Sequence, residues 1–331
     1  MYLFKSILFF LFIIGSFEGY TKNIRIIFGS CSNQNKSMKH WEYINSFEPA
    51  YLILLGDNVY GDFNSPQAKN LKTAYSKLNK NKFFLKLRRN SVLLPIWDDH
   101  DYGKNDGSKN WIYKDTAKDI FLEFFNVNSN DQRRTREGLY FSHNYNNKIK
   151  IKTIALDTRY FKDEFKINKN SDINKKYIPD NNKSKTILGE EQWKWLDGQI
   201  NEEYDILLIL SSIQVLSKSH GWEKWHNFPH EREKLIQLIN KTKKKTIILS
   251  GDRHIGRIYK YNNNIYEVTS SSLNQSIFNF NEIDEFSITD LVFSNNFGYM
   301  EIDEIKRIID VELVSGFYNN RKIYRSLKIN F

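Results

Sequence analysis

Six short polar clusters, each following an apolar run, constrain this chain more than any other feature. In an α/β sheet, ligands and catalytic side chains gather beyond the carboxyl ends of the strands. Clusters that carry Asp, His, Cys and Tyr at six such positions therefore predict one shared site, with chemistry based on metal ions. The clusters lie at residues 29–31, 56–60, 97–103, 156–159, 211–214 and 251–254.

The length and composition of the chain predict one large domain. Its 331 residues are 40% hydrophobic, which is enough to bury a substantial core. The polar clusters are not separated by a linker, so we expect a single domain over residues 21–331 that ends in β-hairpins. We further expect this domain to be a monomer.

The chain is basic overall, but its positive charge is not concentrated in one segment. The chain has 49 Lys and Arg residues against 39 Asp and Glu residues, a net charge of +10. Such a surface can attract nucleic acids, anionic membranes or phosphorylated substrates. The lysines are scattered, however, and the compact run at residues 241–245 is interpreted as a solvated helix end. We therefore predict no specific nucleic-acid partner.

Residues 1–20 resemble a signal peptide. Lys5 precedes the apolar run 7–14, which is shorter than the roughly 20 residues that span a bilayer. Phe17 and Tyr20 leave the cleavage site poorly defined, so an uncleaved N-terminal membrane anchor is the alternative. Both interpretations predict an exported protein, periplasmic or extracellular.

Apolar periodicity predicts alternating strands and helices, followed by a run of strands after residue 256. This order indicates an α/β (α+β) fold in which two sheets pack together with helices outside. Residues 162–186 lack periodicity and are interpreted as a surface excursion. The predicted strands of the first part are 24–28, 51–55, 92–97, 149–156, 206–210 and 246–249, and its main helices are 39–47, 67–78, 82–89, 114–125, 189–201 and 231–240.

Cys31 is the one cysteine of the chain, so it has no partner for an internal disulfide. A lone cysteine is often a small buried hydrophobe, which is the alternative interpretation. Because Cys31 lies in a Gly-Ser-Cys-Ser turn directly after a predicted strand, we favour metal ligation.

Asp57 and Tyr60 follow the second predicted strand. A carboxylate such as that of Asp57 can bridge two cations, although Gly-Asp pairs are also ordinary turn residues. A phenolate from Tyr60 or a thiolate from Cys31 needs a large local charge for deprotonation. Such ligands favour a strongly Lewis-acidic ion such as Fe(III).

Two further segments concentrate ionisable residues. Residues 98–101 read Asp-Asp-His-Asp directly after an apolar strand, and only metal charge or hydrogen bonding can offset their mutual repulsion. Asp252 and His254 are spaced i, i+2, so both side chains can face one way on extended backbone. The alternatives are a solvated loop for residues 98–101 and a buried structural histidine for His254.

Arg159 is a candidate for binding phosphate through its planar guanidinium. The alternative is that it pairs with Asp157 and braces the loop. Neither interpretation is excluded by the sequence.

Taken together and in order, these blocks resemble the PhoD-like alkaline phosphatase/phosphodiesterase family of the calcineurin-like metallophosphatases. The resemblance covers roughly residues 24–315. The blocks read GSC at residue 29, GDxxY at 56, WDDHDYGxND at 97, LDTR at 156 and GDxH at 251.

The resemblance implies a four-layer sandwich, with two mixed β-sheets flanked by helices and a dinuclear site in the cleft. It implies that Cys31, Tyr60 and His254 hold Fe(III), and that Asp57 bridges to Ca(II) or another divalent ion. It further implies that Asp99 and Asp252 help bind this second ion.

The resemblance also implies that His100 acts at the leaving-group oxygen and that Asp101 orients it. Many metallophosphatases supply another histidine after the strand equivalent to 206–210, where this chain has Ser211, Ser212 and Gln214. The second ion's ligand set is therefore open, and Gln214 is assigned with Arg159 to substrate binding.

The predicted activity is hydrolysis of phosphate mono- or diesters by two metal ions, with a metal-activated water as nucleophile. The rival is a non-catalytic exported module that binds phosphorylated or polyanionic ligands in the same cleft. The ligand blocks are nearly complete, which favours the enzyme.

Overall fold

The computed structural model describes residues 23–170, 175–277, 280–315 and 322–331. The predicted signal peptide or anchor lies outside the described residues. Within them, no helix has both the length and the apolar character needed to cross a membrane.

The described residues form two mixed six-stranded sheets. The first sheet has the order β12-β11-β10-β1-β2-β3, and the second has the order β4-β5-β6-β7-β9-β8. The strands are β1 Ile24–Gly29, β2 Tyr51–Leu55, β3 Val92–Ile96, β4 Phe141–Asn146, β5 Lys150–Ala155, β6 Ile206–Ser211, β7 Lys245–Ser250, β8 Gly256–Lys260, β9 Ile265–Ser270, β10 Phe297–Asp303, β11 Ile308–Ser315 and β12 Lys322–Asn330.

Seven α-helices connect and cover these strands in the described part of the chain. The helices are α1 His40–Asn45, α2 Lys69–Leu78, α3 Lys82–Asn90, α4 Asp99–Tyr102, α5 Lys114–Phe124, α6 Gly189–Ile200 and α7 Pro229–Lys241. Strands β1 to β3 run parallel, as do β5, β6, β7 and β9, while the C-terminal strands β10 to β12 are antiparallel.

Alternate residues of each central strand face opposite layers. In β1, Ile26 and Phe28 pack between the two sheets, whereas Ile27 joins the core that contains α1, α2, α3 and α5. In β6, Leu208 packs between the sheets, whereas Leu207 joins the core that contains α6 and α7. The period-two pattern therefore produces four layers, which confirms the predicted fold class. Each fully buried side chain of this kind contributes about 1.5–3 kcal/mol.

The parallel strands bring the polar clusters together at one edge of the sandwich. Loops after strands of different sheets contact each other there, because Ser212 after β6 donates to Asp98 after β3 at 2.5 Å. Ser271 after β9 lies 3.3 Å from the sulfur of Cys31 after β1. The candidate site therefore lies where the two sheets meet, at the carboxyl ends of their parallel strands.

Candidate metal centre

The first group of donors, here called the thiol cluster, consists of Cys31, Asp57, Tyr60 and His254. Donor atoms of Cys31, Asp57 and His254 lie within 4.8 Å of one another. The Cys31 thiol donates to Asp57 Oδ2 at 3.5 Å, and Tyr60 Oη lies 3.0 Å from His254 Nε2. Residues from three separate loops therefore converge as the sequence predicted.

Four of the candidate ligands lie on backbone with an uncommon conformation. Cys31, Asp57, Asp252 and His254 have positive φ angles of 61°, 48°, 68° and 57°. Such angles are uncommon for residues other than glycine, cost of order 1–3 kcal/mol each and cluster at functional sites. Gly56, with φ 96°, is required for packing as well, because a Cβ there would lie 2.4 Å from Asp98 Cβ.

The acid–base state of the thiol cluster depends on burial. Burial, reinforced by Asp57, raises the pKa of the Cys31 thiol well above its usual range, and burial likewise raises the pKa of Tyr60. Burial lowers the pKa of His254 to about 4. The imidazole is therefore neutral and able to ligate, while the thiol and phenol lose their protons only to a strong cation.

The second group, here called the acidic cluster, comprises five carboxylates. Asp99 is common to three sets of potential ligands whose donor atoms lie within 4.8 Å of one another. One of these sets also contains Asp57 and His100. Asp57, a member of the thiol cluster, therefore also lies beside the acidic cluster. The members of the acidic cluster are Asp98, Asp99, Asp106, Glu223 and Asp252.

Buried cations neutralise part of the acidic cluster. Arg159 Nε lies 2.5 Å from Asp98 Oδ1, and its Nη1 lies 2.6 Å from Glu223 Oε2. Lys162 Nζ lies 2.9 Å from the other Glu223 oxygen. Burial would raise the pKa of Asp99, but Arg159 and His100 hold it below its usual range. Burial and Asp98 together raise the pKa of Asp252.

His100 has a partner that sequence reasoning missed. Its Nδ1 lies 2.5 Å from Asp62 Oδ2, and its ring packs 4.2 Å from the ring of Tyr60. Burial would lower the pKa of His100, but Asp57 and Asp62 raise it to about 11. The imidazole is therefore held in its protonated form. A second carboxylate in the loop after β2 was the sequence signal that could have identified Asp62.

The expectation that Asp101 orients His100 is corrected by the hydrogen bonds. Asp101 Oδ2 accepts from the backbone nitrogens of Asp98 and Asn58 at 3.2 and 3.1 Å, and Oδ1 accepts from Tyr75 Oη at 2.8 Å. Asp101 is the third residue of α4, and its side chain folds back to cap that short helix. It braces the loop that carries His100 and does not contact the ring.

The two proposed substrate-binding residues are both buried. Arg159 is committed to Asp98 and Glu223, although its Nη2 has no hydrogen-bond partner among the described residues. Asp157 braces the loop by accepting from the Arg159 backbone nitrogen at 2.9 Å, not from its guanidinium. Gln214 donates to Tyr259 and Thr269, and these contacts do not join it to either cluster.

A family model described as PhoD-like phosphatase matches residues 26–312. The chain belongs to the PhoD-like phosphatase family. This membership makes it a hydrolase of phosphate-ester bonds, and it does not favour the rival of a non-catalytic binding module. The several ligand sets agree with the binding of more than one metal ion. A search of curated proteins found no match.

Solved structures share the fold of this PhoD-like phosphatase. A structure titled PhoD superposes with a TM-score of 0.68 at 14% identity, covering 92% of this chain and 68% of that chain. Purple acid phosphatase PPD1 from yellow lupin seeds gives a TM-score of 0.62 at 13% identity, covering 94% and 54%. A dimetal phosphatase from Danio rerio gives 0.58 at 10% identity, covering 93% and 99%.

Proposed function

We propose that this enzyme hydrolyses phosphate esters at a dinuclear metal centre formed by the thiol and acidic clusters. The observation that carries the proposal is the position of Asp57. Its carboxylate forms one ligand set with Cys31 and His254 and another with Asp99 and His100. A carboxylate shared in this way can bridge two cations.

The donor types support different ions in the two clusters. Cys31, Tyr60 and His254 would hold Fe(III), because a buried thiol and phenol need a strongly Lewis-acidic partner. Asp99 and Asp252 would hold the second ion with oxygen ligands, which suit Ca(II) or another divalent cation. When bound, the ions supply activation of a water nucleophile and stabilisation of charge on the phosphoryl oxygens.

The protein's own groups supply the proton and the orientation. Asp62 Oδ2 lies 2.5 Å from His100 Nδ1 and favours the protonated imidazole, which can donate to the leaving alcohol oxygen. Asp62 fixes the ring through Nδ1, which leaves Nε2 as the donating atom. Arg159, buried between Asp98 and Glu223, would position the carboxylates of the acidic cluster.

The decisive experiment combines metal analysis with turnover. Purified protein is assayed for iron and divalent metal content, and for hydrolysis of chromogenic phosphomonoesters and phosphodiesters. We expect two or more metals per chain and ester hydrolysis that chelation abolishes. Hydrolysis that persists after complete metal removal would contradict the dinuclear mechanism.

We also propose that the enzyme is exported, on the basis of the leader-like residues 1–20, and that it is a monomer. Cell fractionation locates it, and mass determination of the purified protein before and after export reveals whether the leader is removed. Full-length protein in the cytosolic fraction would contradict export.

A further inference from the structure

The described part of the excursion, residues 162–170 and 175–186, contacts the acidic cluster. Its returning segment is joined to its outgoing segment by two backbone hydrogen bonds, from Asn168 to Lys176 at 2.8 Å and from Ile178 to Lys166 at 3.0 Å. The backbone nitrogen of Tyr177 also donates to Gly221 at 2.8 Å. These bonds fix the position of residues 176–178 beside the site.

Two side chains of this segment share one carboxylate oxygen of the cluster. Asp106 Oδ2 accepts from Lys176 Nζ and also accepts from Tyr177 Oη at 2.7 Å. The backbone nitrogen of Asp106 in turn donates to Asp99 Oδ2 at 2.7 Å. Lys176 is therefore linked through Asp106 to Asp99, a carboxylate assigned to the second ion.

Lys176 differs from the other cations paired with the acidic cluster in the described residues. Its side chain is 42% exposed, whereas those of Arg159 and Lys162 are 0% and 1% exposed. An ammonium has three N–H donors on a flexible stem. If Lys176 turns away from Asp106, Tyr177 still satisfies the carboxylate oxygen. The ammonium is therefore the cation that can move to a ligand entering from solvent.

We propose that Lys176 binds a non-bridging oxygen of the substrate phosphate and makes the enzyme prefer phosphomonoesters over phosphodiesters. A phosphomonoester carries a charge of about −1.5 to −2 near neutral pH, because its second pKa is about 6. A diester carries one negative charge. The point charge of an ammonium therefore attracts the monoester more strongly. This inference rests on the proposed phosphate-ester hydrolysis.

The test compares the Lys176→Gln enzyme with the unmodified enzyme on one chromogenic monoester and one chromogenic diester. We expect KM for the monoester to rise about tenfold and KM for the diester about threefold, with kcat within about twofold, because a charge-assisted hydrogen bond is lost. Lys176→Arg should recover most of the monoester KM.

Two control variants separate substrate binding from other effects. Lys166→Gln removes an exposed lysine of the same excursion and should leave both KM values unchanged, which controls for long-range charge. Tyr177→Phe removes the other donor to Asp106 but keeps the ammonium, so both KM values should stay nearly unchanged. A rise in the monoester KM equal to that of Lys176→Gln would mean that the Asp106 contact sets KM, which would overturn the proposal. Equal changes for both esters, or a fall in kcat with unchanged KM, would overturn the proposal.

Binding of inorganic phosphate provides a readout that does not need turnover. Calorimetric titration of the metal-loaded protein should show about tenfold weaker phosphate binding in Lys176→Gln than in the unmodified enzyme. Equal binding would overturn the role of Lys176. If the unmodified enzyme hydrolysed neither ester, the proposed function would fall, while this titration would still decide whether Lys176 binds phosphate.

Discussion

The thiol cluster and the acidic cluster are both buried, but they limit the cost of burial in opposite ways. In the thiol cluster, Cys31 and Tyr60 keep their protons because burial raises the pKa of each group. In the acidic cluster, Arg159 and Lys162 supply permanent counter-charges inside the protein. Cys31 and Tyr60 therefore ionise only when a cation arrives, whereas Asp99, whose pKa Arg159 and His100 hold below its usual range despite burial, is already ionised in the folded protein.

This difference indicates what each cluster contributes to the molecule. A protonated thiol and phenol make modest hydrogen bonds, so removing one of them changes the fold little. A buried ion pair is different, because the loss of one partner leaves an uncompensated charge. We expect substitutions in the thiol cluster to affect metal binding, and substitutions in the acidic cluster to affect folding as well.

The largest effect is expected at Asp57, where the two clusters meet. Asp57→Ala removes a ligand from both, so we expect loss of metal loading and a fall in kcat/KM of ~10⁴-fold or more. Steady-state kinetics and metal analysis measure these effects. Asp115→Asn, an exposed carboxylate outside both clusters, is the matched control and should remain active. A fully active Asp57→Ala enzyme would remove the bridging role.

The next largest effect is expected for Arg159→Met. This change leaves Asp98 and Glu223 without their shared cation, and breaking a buried ion pair typically costs about 3–5 kcal/mol of unfolding free energy. Denaturant unfolding measures the loss.

Added calcium provides a second test of how Arg159 acts in the acidic cluster. Because divalent cations replace the missing positive charge, added Ca(II) should stabilise Arg159→Met more than it stabilises the unmodified enzyme. Identical calcium effects on the two proteins would contradict the view that Arg159 neutralises the acidic cluster.

Substitutions of two aspartates near His100 should separate effects on catalysis from effects on folding. Asp62→Asn should lower kcat by ~10²-fold with little change in stability, because it misplaces the ring. Loss of the negative charge also lowers the pKa of His100, so the protonated form is lost at lower pH. The alkaline limb of the kcat–pH profile should therefore shift to lower pH.

Asp101→Asn is the counterpart, because Asp101 braces the loop through Asp98, Asn58 and Tyr75. We expect this variant to lose unfolding free energy while its pH profile keeps its shape. If Asp62→Asn and Asp101→Asn gave the same pH profile, the assignment of Asp62 as the partner of His100 would be wrong.

Most strands could be predicted because their side chains alternate between two buried faces. Strand β1 was expected at 24–28 and extends over Ile24–Gly29, and β6 was expected at 206–210 and extends over Ile206–Ser211. Helix α1 was expected at 39–47 and is shorter, His40–Asn45. Local periodicity determines the type of an element better than its ends.

The cluster of site residues was predictable because strand ends of parallel sheets meet at one edge. The ion-pair and hydrogen-bond partners of these residues could not be predicted, because they are contacts between residues distant in sequence. Glu223 is 64 residues from Arg159, and Asp62 is 38 residues from His100. The role of Asp101 was assigned from the family resemblance, whereas the turn of α4 directs its carboxylate to the helix start, where it accepts from Asp98 and Asn58.

The smallest effect on folding is expected for Cys31→Ser. A hydroxyl can replace the thiol in the contacts with Ser30, Ser271 and Asp57, so we expect the unfolding free energy to change by roughly 1 kcal/mol or less. The iron content should nevertheless fall several-fold, because an alcohol is a weaker ligand than a thiolate, while the divalent metal content stays nearly constant.

The same change distinguishes the two clusters directly. If Cys31 were only a small buried hydrophobe, Cys31→Ser would lower stability and leave the ratio of the two metals unchanged. A parallel fall in both metals would mean that the thiol cluster and the acidic cluster fill as one unit. An isolated loss of iron would mean that the acidic cluster, neutralised by Arg159 and Lys162, binds its cation independently.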